Sequence, residues 1–142
     1  MELGSDFDLD TSILCRTKDN FFDYMSPYNA VFMDCGRSAS AVLNTVLIHK
    51  TILLPSYICE SVINVYKSQF EIEFYKINTD FSVDIKDFKK KLHNDISVVY
   101  IMHYFGQLQD EIFLEYLYDK KQDYGFTIIE DTTHSVFTKT RT

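Results

Sequence analysis

Phe126-Thr-Ile-Ile-Glu-Asp-Thr-Thr-His-Ser135 opens as a run of apolar and β-branched residues and stops abruptly on two acids and a histidine. Gly125 bounds it on the other side. Such a run suits an interior strand of a parallel sheet, and ligands of parallel sheets gather where the strands end. Glu130, Asp131 and His134 therefore stand where chemistry is expected. A carboxylate brought next to a buried strand is costly unless paired, so Asp131 needs a cationic or hydrogen-bond-donating partner.

Two further runs of the same kind lie upstream. Ile96-Ser-Val-Val-Tyr-Ile101 reads as a buried strand ending in His103-Tyr-Phe-Gly-Gln107, and Thr51-Ile-Leu-Leu-Pro55 as another, closed by Pro55 and followed by Ser56-Tyr-Ile-Cys-Glu60. Ile72, Phe74 and Ile77 alternate as a further strand, and Ala30-Val-Phe-Met33 is a short strand candidate. Helical periods fill the gaps. Ala39, Val42, Leu43, Val46 and Leu47 make one face of a helix that starts at Gly36 to Ser38. Val62, Ile63, Val65, Tyr66 and Phe70 make a second, Ile85, Phe88 and Leu92 a third behind an Asp84 cap, and Ile112, Phe113, Tyr116 and Leu117 a fourth. Strand and helix in alternation predict an α/β fold, a mainly parallel sheet with helices on both faces. The loops at 55–59, 103–107 and 130–135 then converge on one edge, with the start of the first helix beside them. Residues 1–28 keep no period and read as an irregular arm; 29–142 read as one continuous unit.

Bulk properties narrow the function. At 142 residues, 46% hydrophobic and 25% charged, the chain suits one globular domain with a sizeable core, and 4 Gly and 2 Pro leave little for linkers. Its 21 acidic against 14 basic residues give a net charge of -7, which argues against nucleic acid and anionic membranes as partners. Lys89-Lys90-Lys91 reads as a solvated helix face. Three cysteines, Cys15, Cys35 and Cys59, form neither a disulfide framework nor a zinc pattern and fit a reducing compartment. The acidic N-terminus lacks a secretory signal, and no apolar run reaches membrane-spanning length, so a cytoplasmic location is expected.

Several residue sets invite chemistry, each with a plainer reading beside it. Gly36-Arg-Ser38 opens a helix, where free N–H groups favour an anion such as phosphate, although capping explains Gly and Ser equally well. Asp131 is a functional acid or a structural cap, and His134 a ligand, a base or an ordinary hydrogen-bonded imidazole. His103, Asp131 and His134 make a candidate metal set. Tyr57 and Cys59 either pack at a strand exit or flank a flat cofactor ring.

In their order and spacing, Glu2-Leu-Gly-Ser, Gly36-Arg-Ser-Ala, Leu54-Pro-Ser-Tyr-Ile-Cys59, His103-Tyr-Phe-Gly-Gln107 and Ile129-Glu-Asp-Thr-Thr-His134 resemble the N-terminal part of the DegT-type sugar aminotransferases, pyridoxal-phosphate enzymes of the aspartate aminotransferase fold (fold type I). The resemblance implies that Asp131 pairs with the pyridine nitrogen of pyridoxal 5'-phosphate and that His134 approaches the ring hydroxyl. It implies that the phosphate lies on the N–H groups of Arg37 and Ser38, in the turn where Gly36 lets it approach closely. The ring-stacking position falls on Cys59, with Tyr57 as the alternative.

It further implies a transferase that aminates a nucleotide-linked keto sugar from an amino donor, in polysaccharide biosynthesis, and a homodimer. The family's Schiff-base lysine follows well after the acidic motif; Lys139 is too close to Asp131 to match it, and the small C-terminal domain does not follow. Residues 29–142 are accordingly expected to be the N-terminal portion of a large domain, truncated or split, unable to transaminate alone and prone to self-association. Two other readings are a non-catalytic remnant or partner-binding module of the same fold, and a metal-dependent hydrolase using His103, Asp131 and His134.

Overall fold

The structure is a computed structural model, and it describes residues 30–135. The arm at 1–28, Cys15, the Glu2-Leu-Gly-Ser stretch and Lys139 lie outside the described residues. The chain divides into two units, Met1–Phe32 and Met33–Thr142. The second unit carries α1 (Gly36–Asn44), β1 (Thr51–Pro55), α2 (Glu60–Tyr66), β2 (Glu71–Tyr75), α3 (Ile85–Lys91), β3 (Ile96–Met102), α4 (Glu111–Tyr124) and β4 (Thr127–Asp131).

The four strands form one sheet in the order β2-β1-β3-β4, and every pairing is parallel. Side chains leave a strand alternately to its two faces, and here each face has its own core. Leu53, Val99 and Ile101 point to a cluster with Phe88 and Leu92 of the α3 region and Phe113 and Leu117 of α4. Ile52, Leu54, Val98 and Tyr100 point to the other, with Tyr66 of α2 and Phe70 just beyond it. Each fully buried Leu, Ile, Val or Phe contributes about 1.5–3 kcal/mol, so β1, buried along its whole length, is where the two cores are fastened together. The α/β sheet with helices on both faces is thus the one expected. Asp84 does cap α3, accepting a hydrogen bond from Asp87 N–H at 3.0 Å. Gly125 ends α4 in the left-handed region, at φ 71°, which a residue without Cβ adopts freely.

The structure corrects several local expectations. β4 is an outer strand of the described sheet, half-buried rather than interior, because β3 is its one partner among the described residues. In β2 the buried residue is Tyr75, the last of the strand, while Phe74, on the opposite face, is exposed and Ile77 lies past the strand in an antiparallel bridge to Val83. The stripe on α1 is mostly uncovered: Val42 and Leu43 are exposed, and Val46, 77% exposed, lies beyond the helix end. α1 docks instead through buried Asn44, whose Nδ2 donates to Val65 O of α2 at 3.0 Å. Thr45 then closes the helix, its hydroxyl bonding back to Val42 O at 2.8 Å. On α4, Phe113 and Leu117 face the core, whereas Ile112, one position round the helix, is 71% exposed. Residues 30–33 take no regular structure. No helix of the described residues is long and apolar enough to cross a membrane.

Candidate functional site

Three loops leave the carboxyl ends of β1, β3 and β4 and meet around a cavity of about 570 Å³ lined by Ser56 to Cys59, Val62, Met102, Tyr104, Phe105, Asp131, Thr133 and His134. The expected convergence is therefore present. Asp131, the last residue of β4, lies at the cavity wall inside a set of donors. Its Oδ2 accepts from the Tyr100 hydroxyl at 2.7 Å; its Oδ1 accepts from Thr133 N–H at 2.9 Å and from the Thr133 hydroxyl at 2.5 Å. The donors demanded by a carboxylate in this position are thus supplied by the chain itself. Burial pushes the Tyr100 phenol far above the usual tyrosine range, and its bond to Asp131 adds to the effect. Tyr104 is raised by burial first and then by the Asp131 charge. Both phenols therefore serve as donors, and that of Tyr104 is bonded to Tyr57 O at 2.6 Å.

The outer wall of the cavity is aromatic. Tyr57 stands 5.5 Å from Phe81 and 5.7 Å from Tyr104, ring centre to ring centre, and Phe81 meets Phe105 edge-on at 4.9 Å. Phe81 and Phe105 both sit at positive φ, 66° and 53°, where an L residue with a large side chain is strained by about 1–3 kcal/mol. Phe105 is nevertheless 58% exposed. Its strain is offset by the Phe81 contact and by His134, which stacks on it at 5.1 Å with the planes 14° apart.

The neighbouring acid behaves differently. Glu130 leaves β4 on the opposite face from Asp131, and its Oε1 lies 2.6 Å from Nε2 of His103, whose side chain is 1% exposed. Gln109 N–H donates to His103 Nδ1 at 3.0 Å, so that nitrogen is an acceptor and Nε2–H donates to Glu130. The Gln109 side chain in turn accepts from Val83 N–H and donates to Phe81 O and Met102 O. This corrects the metal reading. The His103 imidazole is committed to Glu130 and Gln109, and no group of three metal-ligating residues exists among the described residues.

The remaining sequence candidates fall around the mouth. Cys59 and Tyr57 line it, Tyr57 being 54% exposed. The Cys59 thiol lies 3.0 Å from the Ser61 hydroxyl, which holds it below the usual thiol range, with Arg37 adding a smaller pull. Gly36, Arg37 and Ser38 do not line the cavity; the charge of Arg37 is felt at Cys59 as a minor influence. A side chain at Gly36 would meet nothing within 4 Å. Sequence reasoning left Tyr100, Thr133 and Phe81 out of the site. A signal for Tyr100 was present, since a tyrosine in an otherwise apolar strand needs a partner for its hydroxyl; Thr133 and Phe81 gave none.

No protein-family model matches the sequence, and no curated protein matches it. Solved structures do. The alanine aminotransferase of Pyrococcus furiosus superposes with a TM-score of 0.60 at 19% identity, over 68% of this chain and 26% of that one. The fold is that of the aminotransferases. Aspartate aminotransferase from Thermotoga maritima gives 0.59 at 16% identity over 68% and 28%, and a PLP-dependent aminotransferase from Streptococcus suis 0.57 at 16% over 67% and 28%. The chain thus spans about a quarter of the length of these aminotransferases.

Proposed function

We propose that this chain forms part of the cofactor cradle of a pyridoxal-phosphate-dependent aminotransferase. The observation that carries the reading is Asp131: a carboxylate at a strand end, held by Tyr100 and Thr133 at the wall of an open cavity, in a fold shared with aminotransferases. The donor set suits the group. A carboxylate has about four acceptor positions, and three are filled by the chain, so one more N–H, that of a protonated pyridine, completes it. When bound, the cofactor supplies an electron sink for ionising a substrate C–H bond.

The chain's own residues do the rest. Asp131 keeps the proton on the ring nitrogen, Tyr100 and Thr133 keep Asp131 fixed, and His134 meets the ring hydroxyl. Gly36, Arg37 and Ser38 receive the phosphate at the start of α1, and Tyr57 and Cys59 flank the ring. We further propose a nucleotide-linked keto sugar as substrate, a separate amino donor and a homodimer, as the sequence resemblance implies.

Pyridoxamine 5'-phosphate tests the reading without interference, because its amine does not condense with surface lysines. Equilibrium dialysis should find one site per chain, weakened at least about tenfold by Asp131→Asn, which replaces a charge-assisted bond by a neutral one. Binding of equal strength in the variant sinks the proposal.

A further inference from the structure

Phe105 is the least expected residue of the cavity. It is exposed, its backbone is strained, and a phenylalanine at φ 53° followed by Gly106 at φ 83° builds a turn that asparagine or glycine normally occupies. The turn is closed, with Gln107 N–H donating to Tyr104 O at 2.8 Å. Strain kept in a solvent-facing turn calls for a reason other than core packing. Everything that this conformation brings Phe105 against belongs to the site or supports it. Its ring lies flat on the His134 imidazole, its own N–H points at His134 Nδ1 across a long 3.5 Å, and Phe81 braces its ring edge-on. Gly106 passes the same residue, a Cβ there being 3.8 Å from His134 O.

A backbone N–H can only donate. Nδ1 of His134 is therefore the acceptor, and the ring proton of the neutral imidazole sits on Nε2. We infer that Phe105 is a positioning residue: its strained turn selects the orientation and tautomer of His134, so that His134 offers Nε2–H to an anionic or phenolic oxygen of the ligand in the cavity that both residues line. Because the 3.5 Å contact is long, the flat ring stack supplies most of the orientation and the N–H supplies the choice of tautomer. This rests on the proposed cofactor reading for the identity of the ligand, not for the state of the imidazole. Phe81, tied through its carbonyl to buried Gln109, is the brace that keeps the turn in place.

Nitrogen-15 NMR of the imidazoles, assigned by single substitution of the four histidines, reads the tautomer directly in the ligand-free chain. In the parent, His134 should show one neutral form, protonated on Nε2. Phe105→Gly keeps the N–H and relieves the strain but removes the stack, so its thermal stability should hold or rise while His134 becomes a mixture of forms. Phe105→Tyr should restore the single form. Pyridoxamine phosphate should bind about three- to tenfold more weakly to Phe105→Gly, the loss of one well-placed hydrogen bond. The analogue lacking the ring hydroxyl should bind parent and Phe105→Gly alike. A single Nε2–H form in Phe105→Gly, or a mixture already present in the parent, overturns the inference. Failure of Asp131→Asn to weaken binding would instead remove the cofactor reading, with the NMR result still deciding this one.

Discussion

β4 ends on two acids, each with an imidazole nearby, and the two pairs have opposite characters. Glu130 and His103 meet at 2.6 Å in a closed network in which Gln109 ties down Nδ1 of His103 and three backbone groups. Asp131 and His134 open instead onto a cavity of about 570 Å³, with the carboxylate held by hydroxyls and a backbone N–H and the imidazole lying on an exposed ring. One step along a strand separates them. Alternation sends neighbouring side chains to opposite faces, so the same residue types become scaffold on one side and site on the other. Proximity in sequence to an acid at the cavity wall is therefore a poor guide to surroundings; the face is the better one.

If that contrast holds, the closed side should dominate stability. His103→Leu strands the Gln109 N–H and the Glu130 carboxylate, and should cost about 3 kcal/mol in urea denaturation. The next effect is alkaline. Tyr100, Tyr104 and Tyr75 all have folded pKa values raised above the ordinary 10.0, first by burial. Their stabilising share is complete below pH 10; above it the unfolded chain loses phenolic protons that the folded one keeps, so stability falls as pH rises. Each phenol contributes a slope of about 1.4 kcal/mol per pH unit there, and Tyr100→Phe should make the measured slope shallower by one such share. Asp131→Asn should cost only about 1 kcal/mol, since the amide still accepts some of the bonds, while weakening the cofactor analogue. Equal losses of stability for Asp131→Asn and His103→Leu would erase the distinction between the two sides. Smallest of all, Glu73→Gln, at the half-exposed surface pairs with Lys91 and His93, should change stability by no more than about 0.5 kcal/mol.

The sequence carried the frame of this fold where local chemistry is decisive. Asp84 announces a helix by its capping oxygen, Pro55 closes β1, and two apolar runs are the two central strands. It failed where burial depends on distant chain. An amphipathic pattern says that α1 owns an apolar face, but not that Asn44 is the residue through which it docks. The apolar run of β4 looks the same at the edge of a sheet as in its middle. Within the site, Asp131 was visible from its place at the strand end. The tie between His103 and Glu130 was not, because it depends on the register of β3 against β4, in which Met102 pairs with Asp131. The strain at Phe81 and Phe105 was equally silent, since nothing in the residue type announces a left-handed backbone.

The strand order also governs how the molecule assembles in time. Every connection is a crossover, and Thr51 of β1 finds its neighbour in Ile96 of β3. Until Ile96 has been synthesised, β1, the one strand among the described residues that is buried along its whole length, has just the outer strand β2 to pair with. Long-range parallel pairing is slow because loop closure comes before any stabilising contact, and in that interval the open edge of β1 is available to other chains. Yield on refolding should then be set by a race between the arrival of β3 and the encounter of two half-made sheets, a race decided by dilution rather than by the strength of the finished core.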